Sequence, residues 1–111
     1  MKTITQEEFD KIVEDHIVWY ETNGEKGSRA NFKFMDLREH NFKYKSLQDA
    51  CFIWADLRDA NFEGADLRNA SFFKANLENA YFYCTDLTGA YLIGANTSGS
   101  NIANCLPKQS Y

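Results

Sequence analysis

The sequence predicts a solenoid, and three observations carry that prediction. Phe32, Leu37, Phe42, Leu47, Phe52, Leu57, Phe62, Leu67, Phe72, Leu77, Phe82 and Leu87 recur every five residues and alternate strictly between the two residue types. Such a period fits neither a helix, at about 3.6 residues, nor a strand, at about 2, so the repeat itself is the structural unit. Two positions before most of these centres stands alanine, at Ala30, Ala50, Ala55, Ala60, Ala65, Ala70, Ala75, Ala80, Ala90 and Ala95. The chain of 111 residues has room for one domain, and in a solenoid each coil needs only its neighbours for burial.

The first element is a helix. Thr5 followed by Glu8 forms a capping box, in which hydroxyl and carboxylate each satisfy an amide left free at a helix start. Phe9, Ile12, Val13, His16, Ile17 and Tyr20 then follow at helical spacing, with Trp19 on the edge of the stripe, and Asn23-Gly24 supplies the stop. Residues 1–27 are read as this amphipathic capping helix and its linker, residues 28–105 as the repeats, and residues 106–111 as a C-terminal tail.

Within the repeats the order is small, polar, Phe or Leu, then two mostly polar residues, as in Ala55-Asp56-Leu57-Arg58-Asp59 and Ala65-Asp66-Leu67-Arg68-Asn69. This resembles the pentapeptide repeat family, whose motif is A(D/N)LXX, across residues 28–105. The resemblance implies an all-β solenoid, a right-handed quadrilateral β-helix in which four pentapeptides complete one coil, here about four coils behind a helical cap. Twenty residues per turn would stack Phe32, Phe52, Phe72 and Leu92 on one inner face and Leu37, Leu57 and Leu77 on the next. Phe42, Phe62, Phe82 and Ile102 would fill the third, and Leu47, Leu67 and Leu87 the fourth. With rungs about 4.8 Å apart, four coils make a stub roughly 19 Å long.

Alanine beside each large residue keeps a narrow bore densely packed. The Asn and Asp residues that precede the centres suit corner chemistry, a short polar side chain bonding a nearby amide. Met35, His40 and Lys45 take alanine slots in the first coil, where a lysine cannot stay unpaired inside a closed tube, so an open end covered by the helix is expected. That cap also blocks a ladder edge able to recruit another chain. At the far end Thr97, Gly99 and Ser100 weaken the pattern, and self-association is expected there.

Charge and composition exclude several classes. Residues 28–105 mix acids and bases almost evenly, and the formal net charge of the whole chain is -4, so direct nucleic-acid binding is not expected. No apolar run is long enough to span a membrane, and the opening MKTITQEEFD lacks a secretory core, which places the protein in the cytoplasm. Cys51, Cys84 and Cys105 are odd in number and agree with a reducing compartment. No C-x-x-C or paired-histidine spacing suggests metal, and no cofactor is expected. His16 and His40 fall in packed positions, no nucleophile has a recognisable base, and Gly24 and Gly27 flank a helix end rather than a phosphate. A non-catalytic protein is expected.

One outer surface departs from the polar pattern. Phe34, Ile53, Trp54, Phe73, Tyr91 and Ile93, with Lys33 and Cys51, form an apolar column on the first face. Two readings stand open: a partner site, or a column shielded by its own stacking or by the helix. The favoured function is a rigid protein-protein interaction module using this column, its partner an unidentified protein or a second copy. The alternative comes from the resemblance: some family members mimic duplex DNA, bind DNA gyrase and protect it from quinolones. That reading wants a strongly acidic face, which lysines and arginines interrupt here.

Overall fold

The computed structural model describes residues 1–105. The chain runs through strand β1 (Lys2–Thr3), helix α1 (Gln6–Glu21), strand β2 (Met35–Asp36) and a short 3-10 helix at Ile102–Asn104. From Asn31 to the 3-10 helix the backbone climbs by single parallel bridges, each joining residues twenty apart: Asn31 to Cys51 to Ser71 to Tyr91, Asp36 to Asp56 to Asn76 to Asn96, Ser46 to Asp66 to Asp86, and Asn61 to Tyr81. A lap of twenty residues is therefore the repeating unit of the ladder. Its bonds run alternately up and down, as in Phe52 N–H to Ser71 C=O at 2.8 Å and Ser71 N–H to Ala50 C=O at 3.0 Å.

Regular strand is scarcer than an all-β fold implies, because a corner every five residues leaves one bridging residue on each side. The corners are β-turns, closed by bonds such as Ala55 N–H to Phe52 C=O and Ala75 N–H to Phe72 C=O, both 3.0 Å. The Asn and Asp residues before the centres act as the sequence suggests: Asn61 Oδ1 accepts from the Glu63 amide at 2.9 Å, and Asn31, Asp36, Asn41, Asp56, Asp66, Asn76, Asp86 and Asn96 repeat the bond two residues on. Asn101 differs. Its side-chain oxygen, 2.7 Å from the Phe82 amide, takes the place of the ladder carbonyl as the chain turns into the 3-10 helix.

All twelve alternating Phe and Leu centres are buried, with the alanines from Ala30 to Ala90 packed beside them. Phe52 stacks on Phe72 at 4.8 Å and Phe42 on Phe62 at 4.8 Å, close to the rung spacing of a sheet, while neighbouring columns meet edge to face, Phe52 and Phe62 lying at 90°. Leu92 is only partly buried, where the column meets the last lap.

Helix α1 closes the first lap. The capping box forms in full, with Thr5 Oγ1 accepting from the Glu8 amide at 3.0 Å and Glu8 Oε1 accepting from the Thr5 amide at 2.9 Å. Phe9 continues the aromatic stack downward, 5.2 Å from Phe42 and 5.8 Å from Phe32, and lies flat on His40 at 4.6 Å. Val13 and His16 are also buried, but Tyr20, expected on the buried stripe, is exposed and Trp19 turns inward beside His16. The physical reason is the return of the chain: Gly24 and Gly27 fold back against α1, and a Cβ on Gly27 would stand 2.6 Å from the Trp19 amide nitrogen. Strand β1 pairs in parallel with β2, Lys2 opposite Met35, and so adds a partial rung beneath the first lap that the sequence did not reveal. The tail at 106–111 lies outside the described residues.

Candidate interaction face

The outward side chains fall into vertical files because residues twenty apart lie over one another. On the first face (31–35, 51–55, 71–75 and 91–95) one file is Lys33, Ile53, Phe73 and Ile93, a second is Phe34, Trp54, Lys74 and Gly94, and a third is Asn31, Cys51, Ser71 and Tyr91. The apolar column predicted from sequence is thus assembled in one place. Helix α1 sits over the end of the first lap rather than over this face: Phe34, Trp54, Tyr91 and Ile93 are 51, 46, 46 and 55% exposed, whereas Ile53 and Phe73 are half-buried. Phe34 and Trp54 stack at 6.4 Å, and Phe73 meets Tyr91 at 6.0 Å.

Two cations lie on these rings. Lys74 Nζ is 5.1 Å from the Trp54 ring and 5.5 Å from Phe73, and Lys33 Nζ is 5.3 Å from Phe34. The face holds no Asp or Glu. At its lower edge a shallow groove of about 400 Å³ runs between Arg29, Asn31, Lys33, Cys51 and Ile53.

The sequence reading missed a backbone property of this face. The corner residue of most units has positive φ, which Asp49, Asp59, Asn69 and Asn79 and the glycines at 64, 89, 94 and 99 suit, yet Phe34 (φ 60), Trp54 (φ 57) and Tyr44 (φ 62) adopt it too, as do Lys74 (φ 55) and Cys84 (φ 56). A type II turn favours Gly or Asn there. A bulky side chain in the left-handed region costs about 1–2 kcal/mol. The signal was present: these aromatics stand in a slot filled elsewhere mostly by Asp, Asn or Gly.

The other faces are quieter. On the second, Asp36 and Arg38 form a two-pronged pair with both bonds at 2.9 Å, and Asp56 with Arg58 repeats it one lap up. The Arg38 hydrogen bond holds the Asp36 carboxyl down at about 2. Arg58 likewise lowers Asp56. On the fourth, burial pushes Asp66 up, but the hydrogen bonds and charge of Arg68, helped by Gln48, outweigh it and leave the carboxyl below its ordinary value. The third carries Tyr81 and Tyr83, stacked at 6.3 Å, and Tyr44 lying against Gly64.

His16 and Cys105 are engaged in structure, whereas His40 Nδ1 is buried without a hydrogen-bond partner among the described residues and Cys84 is an exposed free thiol. His16 Nδ1 accepts from the Ala30 amide at 2.8 Å and Nε2 donates to the Gln48 carbonyl at 2.7 Å, which fixes a neutral ring, and burial lowers its pKa. His40 Nε2 lies 3.0 Å from the Ile4 carbonyl. Cys105 bonds the Phe82 carbonyl through Sγ, one lap above the bond from Thr85 Oγ1 to the Phe62 carbonyl, and burial raises its thiol pKa. All three cysteines are free. Among the described residues no group of three His, Cys, Asp or Glu gathers to hold a metal, and no helix is long and apolar enough to cross a membrane.

A twenty-residue ladder around stacked Phe and Leu, with corner-forming Asn and Asp, defines a repeat protein of the β-helical class. The family model for pentapeptide repeats matches in eight copies over residues 28–64, 50–83 and 70–105, and the chain belongs to that family. Among solved structures it is similar to a pentapeptide repeat protein from the thylakoid lumen of Arabidopsis thaliana, 34% identical with a TM-score of 0.53, over 66% of this chain and 47% of that one. It also resembles HetL, a pentapeptide repeat protein involved in heterocyst differentiation regulation from the cyanobacterium Nostoc, at 30% identity and a TM-score of 0.42, over 66% of this chain and 34% of that one. The plasmid-mediated fluoroquinolone resistance protein QnrB1 matches at 25% identity and a TM-score of 0.34, over 70% of this chain and 50% of that one. The chain thus spans about half or less of each of these proteins. No curated protein sequence matches it.

Proposed function

We propose that this chain is a non-catalytic interaction module, a rigid coil wound right-handed and four-sided like its family, that engages a protein partner through the first face. The observation that carries the reading is Trp54: a bulky ring, 46% exposed, held at a φ of 57 that asparagine or glycine fills more cheaply. Strained residues persist where function favours them, and a rigid ladder keeps the ordering entropy of binding low. The three free thiols fit a cytoplasmic setting.

Replacing Trp54 and Phe73 together by serine tests this. Association measured by sedimentation or affinity capture should be lost while the far-ultraviolet circular dichroism stays unchanged, and an unaltered complex overturns the reading. Gyrase mimicry is the weaker alternative, because Arg38, Arg58 and Arg68 neutralise the carboxylates of Asp36, Asp56 and Asp66 that a duplex mimic would leave bare.

A further inference from the structure

Resting on that reading of the first face, we infer that its occupant is a short, extended, acidic peptide segment whose apolar side chains seat against Trp54 and Phe73 and whose carboxylates meet Lys33, Lys74 and Arg29. The argument begins with charge. The chain is acidic as a whole, with a formal net charge of -4, yet this face presents Lys33 and Lys74 and no carboxylate. Each of the other three faces carries at least one Asp or Glu. Among the described residues the ion pairs join Lys11, Arg38, Lys43, Arg58 and Arg68 to acids, while Lys33 and Lys74 rest on aromatic rings. Arg29 spends its Nε on the Asp49 carbonyl at 2.6 Å, and with Lys33 it brackets the groove floored by Cys51 and Ile53. Each of the two apolar files holds one cation, Lys33 below Ile53 and Phe73 and Lys74 above Phe34 and Trp54, so the complement is an extended segment that brings both acidic and apolar side chains to each file.

Size selects a segment over a folded domain or a second copy. Four laps at about 4.8 Å give a column about 19 Å tall, the length of roughly six extended residues. A side three extended residues wide adds about 10 Å. That footprint of about 200 Å² is far below the roughly 800 Å² per partner that a stable dimer buries. A single strand laid along the column matches it.

The test uses the full chain and a fluorescein-labelled nonapeptide built on the repeat Glu-Glu-Leu-Leu, which sets both residue types on each side of an extended strand, with counterparts carrying glutamine or lysine in place of glutamate. Anisotropy should show saturable binding of the glutamate peptide at sub-millimolar concentration, weakening as salt is raised. Binding of the glutamine and lysine peptides should be at least about tenfold weaker, a difference of about 1.4 kcal/mol. The K33E/K74E variant should reverse the preference toward the lysine peptide, and W54N should lose binding while keeping its circular dichroism. The inference is overturned if the glutamine peptide binds as tightly, if charge reversal leaves the preference unchanged, if oligo-deoxythymidine displaces the glutamate peptide, or if the chain sediments as a dimer that buries Trp54. Equal binding of the glutamate and glutamine peptides, both abolished by W54N, removes the acidic chemistry and leaves the interface reading in place. Binding of no peptide, or binding indifferent to W54N, removes the peptide, and the W54S/F73S association experiment then decides the interface separately.

Discussion

Trp54 shows how one residue can serve two demands that conflict. Its slot asks for a residue at ease with positive φ, and an indole there gives up about 1–2 kcal/mol of local preference. Its ring recovers part of that by stacking on Phe34 and by sheltering under Lys74. Trp54→Asn should therefore leave the thermal midpoint unchanged or raise it, and a fall of more than a few degrees would show that the stack outweighs the strain. His16 offers a second residue-scale test. Its ring is neutral in the fold because the Ala30 amide occupies Nδ1, and burial depresses its pKa below 6.5. A lowered histidine pKa means that the unfolded chain binds the proton more readily, so this contribution is complete above pH about 6.5 and is lost as pH falls below it. The urea midpoint should decline between pH 7.5 and 5, and His16→Gln, though less stable, should give a flatter profile. The lowered carboxyls of Asp36, Asp56 and Asp66 act in a separate window, losing their contribution only as pH falls below about 4.

At the scale of elements, the lap and the cap obey different logic. Each lap is held by its neighbours, and the small residue beside each large centre sets the bore. Ala60, 2% exposed between Phe and Leu columns, leaves no room for branching carbon. Ala60→Leu should lower the unfolding free energy by about 1–3 kcal/mol or more, measured by urea denaturation, and a smaller loss would mean that the bore can widen. The cap, by contrast, is specified by a few contacts at one end: Phe9 against Phe32, Phe42 and His40, His16 against Ala30 and Gln48, and the Ser28 amide bonded to the Asp15 carbonyl at 3.1 Å. Together with β1 it covers amides and carbonyls of the first lap that would otherwise form an open edge.

For the molecule as a whole, the arrangement of charge follows from the lap length. Because residues twenty apart share a file, Lys33 and Lys74 come to one side and the Asp–Arg pairs to others, although along the chain they are interspersed. The first face therefore carries bases and no carboxylate, which is why the peptide experiment sits at this scale.

The sequence by itself determined the inner residues, the corner Asn and Asp and the membership of the outer apolar column through the five-residue period, and the helix start at Thr5 through the capping box, because each follows from a local rule. Tertiary structure alone decided three matters. It turned Trp19 inward and Tyr20 outward, through the close return of Gly24 and Gly27 that no helical periodicity encodes. It added β1 beneath the first lap, a pairing between residues 2–3 and 35–36 too short and too distant for sequence pattern to register. And among the described residues it left the first face uncovered, since the anchors Phe9 and His16 draw α1 onto the end of the coil, where the buried stacks terminate and most apolar surface is removed from water.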